Sequence, residues 1–154
     1  MRRRRYLQTV GGAVALAGCL GAPETGTAAP ATDTPLAALL PPTPAGMTAD
    51  ERATLDTSDI RAEAGAFVQY TAAAGERYYT EVLRWPTTDA ATAGADLYRG
   101  YDPDAGEWQI YVAKGVFSWA GATLGGDVDT LVSILGGVEW LSPAYVRAAD
   151  RLEV

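Results

Sequence analysis

Asp102-Pro103-Asp104-Ala105-Gly106-Glu107 gathers three acids and a glycine into one short run. Hard cations such as calcium take carboxylate oxygens at this kind of spacing, so Asp102, Asp104 and Glu107 are the candidate metal ligands. A calcium loop of the twelve-residue type also needs an acid at its end, where this chain has Ala113. The competing reading is a solvated turn made of turn-forming residues. Glu81 and Arg84 stand on a segment rich in aromatics and could form a polar patch in a cleft, although residues so placed more often line the exposed face of a half-buried sheet. Asp127 and Asp129 read as helix-start charges.

Other chemistries are closed off by residue type. The chain has no histidine, the commonest general base and metal ligand. Ser-His and Cys-His dyads are therefore impossible, as are zinc sites built on histidine or several cysteines. Neither a phosphate loop nor a G-x-G-x-x-G run is present. Four serines (Ser58, Ser118, Ser133 and Ser142) and one lysine (Lys114) allow a Ser–Lys pair in principle, but no motif supports one. No catalytic constellation emerges, and no cofactor is expected.

The lone cysteine has a different setting. Arg3-Arg4-Arg5-Tyr6-Leu7 matches the twin-arginine export pattern, in which Arg3, Arg4, Tyr6 and Leu7 carry the signal. A modest apolar stretch follows from Val10 to Ala17, too short for a bilayer, which needs roughly 20 apolar residues. Leu16-Ala17-Gly18-Cys19 then has the form of a lipobox, with cleavage before Cys19 and a lipid on its sulfur. The competing reading is ordinary secretion, with Cys19 a small residue near the cleavage site. A single cysteine cannot form the intrachain disulfide that small exported domains often use.

Removing the arginines at positions 2–5 leaves 8 basic against 19 acidic residues, a net charge of −11. Such acidity, spread along the chain with lysine almost absent, resembles exported proteins of halophilic archaea. Molar salt screens the mutual repulsion to within about 3 Å. The charge argues against nucleic acid as a partner and against electrostatic docking on anionic lipid. The expected membrane contact runs through the lipid on Cys19, and the twin-arginine translocase is the expected export partner.

The expected organisation is a signal peptide over 1–18, a lipidated Ala/Pro/Thr-rich tether over 19–45, and a globular domain over 46–154. Within the tether, Leu36 to Leu40 and Pro41-Pro42 mark where the chain first touches the domain. Residues 48–55 fit either a capped helix or a strand, and 59–64 fit a helical turn. Strands are expected at 66–72 and 77–85 as a hairpin, and at 108–113 and 116–122. Helices are expected from Asp89 to about Arg99, from Val128 to Leu135, and from Ser142-Pro143 to about Asp150. This order gives an α+β fold, an antiparallel sheet of about four to five strands with helices packed on one face. Most strand aromatics, from Phe67 to Trp119, are expected in the core rather than in a groove.

The runs Leu39-Leu40-Pro41-Pro42-Thr43-Pro44-Ala45-Gly46, Gly65 to Tyr70, Tyr79 to Trp85 and Gly115 to Gly121, taken with the signal, resemble a family of haloarchaeal lipoproteins exported by the twin-arginine route. These motifs are structural in character and imply no activity. The order of sheet and helices is loosely similar to the PsbP-type α/β sandwich, an analogy of architecture alone. The function expected is a non-enzymatic binding or accessory domain, anchored by lipid on the extracellular face of the cell membrane and meeting an envelope protein or small ligand. The alternative is a hydrolase or other extracellular enzyme using carboxylates.

Overall fold

Apolar side chains at every second position make the middle of the chain a meander of strands. The computed structural model describes residues 28–99 and 108–152. Strand β1 (Met47–Leu55) pairs with β2 (Ala64–Ala72), which turns at Gly75 into β3 (Arg77–Arg84). After a helical excursion, β4 (Trp108–Lys114) and β5 (Phe117–Leu124) form a second hairpin, and β5 inserts beside β3. A two-residue strand, β6 (Asp150–Arg151), closes the far edge. The sheet order is β1-β2-β3-β5-β4-β6, and every pairing is antiparallel. The α+β class and the antiparallel sheet are as the sequence indicates.

Among the described residues five short helices complete the fold: α1 (Leu36–Leu39), α2 (Thr88–Ala93), α3 (Ala95–Arg99), α4 (Val128–Leu135) and α5 (Pro143–Arg147). Their starts are fixed by side-chain caps. Thr87, Asp127 and Ser142 accept from the backbone N–H three residues on, at 3.1, 2.7 and 3.1 Å.

The expectation of helices on one face is corrected: they divide between both. Helices α1, α4 and α5 cover one face, over Val68, Tyr70, Val82, Ile110, Phe117 and Trp119. On the other face α2 and α3 lie over Leu83, Trp85, Tyr111 and Ala120. The physical reason is β5, which is buried from Phe117 through Thr123 on both sides and so needs cover on both. Small residues let that cover come close. A Cβ on Gly121 would meet Leu131 Cδ1 at 2.9 Å, and one on Gly94 would collide with the Tyr111 hydroxyl. Gly94 also divides the helix expected over 89–99 into α2 and α3.

Further expectations shift. The ambiguous segment 48–55 is strand, with a bulge between Ala49 and Glu51. Residues 59–63 form turns and bends rather than a helical element, Ala64 already belongs to β2, and Glu63 N–H donates to Arg84 O at 2.8 Å. The last helix stops at Arg147 because the chain must return to pair with β4.

The boundary between tether and domain at 45/46 is also corrected. Leu39 is fully buried, Leu40 and Pro41 are buried, and Pro30 is buried further upstream. Trp119 Nε1 donates to Leu39 O at 2.8 Å, and the Tyr70 hydroxyl donates to Pro41 O. Pro30 and residues 39–41 thus fasten a strap to the core, with most of the residues between them exposed. A tether can extend only through the residues before them.

Candidate functional site

Side chains two apart on a strand share a face, so Tyr79, Glu81 and Leu83 of β3 all point toward α2 and α3. Glu81 sits opposite Phe67 of β2 and Ala120 of β5, an acid in the middle of an apolar row. Helix α3 carries Tyr98 over this row, and the Tyr98 hydroxyl donates to Glu81 Oε1. Among the described residues this is the carboxylate's single hydrogen-bond partner.

Aromatic packing holds Tyr98 in place. Its ring stands edge-on to Trp108 at 5.2 Å and tilts against Tyr111 at 5.3 Å. Tyr111 is itself tied to α2, since its hydroxyl donates to Ala91 O. A cavity of about 330 Å³ opens beside this cluster, with Glu81, Tyr98 and Trp108 in its wall. Leu55, Ile60, Leu83 and Leu97 supply the apolar lining, and Asp56 completes it. That volume falls at the lower end of small-molecule sites, roughly 300–1,000 Å³. Among the described residues none of the lining side chains is basic. A neighbouring cavity of about 380 Å³ shares Ile60 and Leu97 and brings in Asp59 and Arg61.

The two carboxyls of the cavity are shifted in opposite directions. Burial pushes Glu81 up to about 7, and the Tyr98 hydrogen bond only partly offsets it. Tyr98 is pushed well above the usual phenol range by burial and by the Glu81 charge. Burial also raises Tyr111 to about 12. Asp56 is exposed and is lowered by the Ser58 N–H, which donates to it at 2.9 Å. The arrangement therefore offers one carboxyl that changes charge near neutrality inside an apolar, aromatic wall. Trp108 Nε1, in that wall, is buried and meets no acceptor among the described residues.

The other sequence candidates fall elsewhere. Glu81 and Arg84 are not one patch, because they project from opposite faces of β3, and Arg84 Nε lies 3.5 Å from Glu63. Asp127 caps α4. Lys114 donates to Trp140 O at 2.8 Å and lies 4.7 Å from the centre of the Tyr145 ring. Asp102, Asp104 and Glu107 lie outside the described residues, as do Arg3, Arg4, Tyr6, Leu7, Leu16, Ala17, Gly18 and Cys19. Among the described residues no three acids or other ligating side chains converge as a metal site.

Sequence reasoning did not single out Leu97, Tyr98 or Asp56. Two signals pointed to the site. One is an acid flanked at both second positions by Tyr79 and Leu83 on an inner strand. The other is the spacing of Ala91, Ala95 and Tyr98, which puts Tyr98 on the buried side of its helix.

No protein-family model, no curated protein and no solved structure matches this chain.

Proposed function

We propose that this chain is a lipid-anchored domain outside the cytoplasmic membrane that binds a small, largely apolar ligand in the Glu81 cavity. The cavity itself carries the reading: an apolar and aromatic lining with a few polar groups is what small-molecule sites share. Leu97 at its edge is one of two large apolar side chains exposed among the described residues, at 37%. Anchoring through Cys19 after twin-arginine export would hold the domain at the cell surface, and a net −11 suits a saline exterior.

Nile red, a neutral fluorophore that brightens in apolar surroundings, tests the pocket. Saturable binding with one site per chain is expected, and Leu97→Arg should abolish it without unfolding the domain. Binding that never saturates, or that ignores Leu97→Arg, refutes the pocket reading. Cys19→Ser should release the protein from the membrane fraction, and Arg3 and Arg4 replaced by lysine should retain it inside.

One observation favours a second reading, a carboxylate-dependent hydrolase. Asp56 and Glu81 line the same cavity with shifts in opposite directions, as an acid and a base would. Turnover of nitrophenyl esters or glycosides that disappears in Glu81→Gln would favour it over simple binding.

A further inference from the structure

Taking the Glu81 cavity as the ligand site just proposed, we infer that its ligand is an organic cation, an ammonium head on a compact apolar body. Among the described residues the charges that line the cavity are both acids, Glu81 and Asp56. Aromatic rings attract a cation to their negative faces, and Tyr98 and Trp108 both stand in the wall. An ionised carboxylate can accept about four hydrogen bonds, and among the described residues Glu81 receives one, from Tyr98. Half-buried and without a counter-charge among the described residues, that anion is costly, and a ligand ammonium would supply the partner.

The groups facing Glu81 from each packed element are consistent with this. Helix α3 contributes Tyr98 and β4 contributes Tyr111, both neutral phenols. The segment after β1 contributes Asp56, and the cross-strand neighbours Phe67 and Ala120 are uncharged. Basic residues on adjoining elements are turned to other sites. Arg84 lies by Glu63, Arg99 by Asp96, and Arg61 lines the neighbouring cavity together with Asp59. An anionic ligand would meet only like charge. A neutral one would leave the carboxylate unpaired above neutral pH.

Choline and its neutral isostere 3,3-dimethylbutanol provide the test on the full chain, by displacement of Nile red at constant ionic strength. Choline should bind at least tenfold more tightly than the alcohol at pH 8. Its affinity should fall below about pH 7, approaching tenfold per pH unit, because Glu81 must lose its proton to pair with the cation. Glu81→Gln should remove both the preference and the pH dependence, with a parent-like circular-dichroism spectrum and urea midpoint at about pH 4.5 showing that the fold is kept. Equal affinity for the two compounds, a pH-independent preference, or a failure of choline to displace bound Nile red would overturn the cation inference and leave the pocket standing. Loss of saturable Nile red binding itself would overturn the pocket reading beneath it.

Discussion

Trp119 and Leu39 stand 80 residues apart and are joined by a hydrogen bond of 2.8 Å, from the indole Nε1 to the Leu39 carbonyl. Both side chains are fully buried, so the strap before β1 is as much a part of the core as the central strand is. Burying Leu39 needs a peptide carbonyl to enter the core with it, and Trp119 supplies the donor that makes this tolerable.

Leu39→Ala should therefore destabilise the domain by about 2–5 kcal/mol, the range for truncating a buried leucine. Deleting residues 28–40 should abolish cooperative unfolding, because it opens the core over Tyr70 and Trp119. Urea denaturation followed by tryptophan fluorescence measures both. A Leu39→Ala cost below about 0.5 kcal/mol, as at a surface site, would show that the strap is dispensable.

A second polar pair lies inside the other face. Trp85 Nε1 donates to Ser118 Oγ at 2.8 Å, with both residues buried. Ser118→Ala leaves the indole N–H without an acceptor and should cost about 1–3 kcal/mol. Trp85→Phe in the Ser118→Ala background should then cost less than it does alone, since the orphaned donor has gone. The double-mutant cycle reads this as a coupling of about 1 kcal/mol, and additive losses would refute the pairing.

How far the sequence shows all this depends on the range of the interaction involved. The hairpin of β2 and β3, the cap at Asp127 and the start at Ser142-Pro143 are local, and their residue types state them directly. The division of helices between two faces is not local. It follows from β5 lying at the centre of the sheet beside β3, which only the crossover after β3 decides. The composition of residues 28–45 reads as tether because proline, alanine and threonine bury little surface, and two leucines decide otherwise. Glu81 was visible as an acid among aromatics. Its partner Tyr98 comes from a different element, and no spacing along the chain reveals that meeting.

That meeting also makes stability depend on pH. Glu81 is raised to about 7 in the folded domain from an ordinary value of 4.5. The folded state therefore holds a proton that the unfolded chain has lost, and between those values stability falls as pH rises. The favourable contribution of the protonated carboxyl is fully present below about 4.5 and is lost as pH passes about 7. The other titratable groups of the pocket do not mask this window. Tyr98 and Tyr111 are shifted upward and stay protonated through it, and Asp56 is shifted downward and stays ionised. A shift of this size corresponds to on the order of 2–3 kcal/mol, allowing for the pocket's opening to water. Glu81→Gln keeps an acceptor for the Tyr98 hydroxyl and cannot ionise. The stability difference between Glu81→Gln and the parent, measured by urea denaturation at fixed salt, should grow in favour of the variant from pH 4.5 to pH 8. A difference that stays flat across that range would mean that Glu81 is hydrated in the folded protein, and the apolar character assigned to its pocket would fail with it.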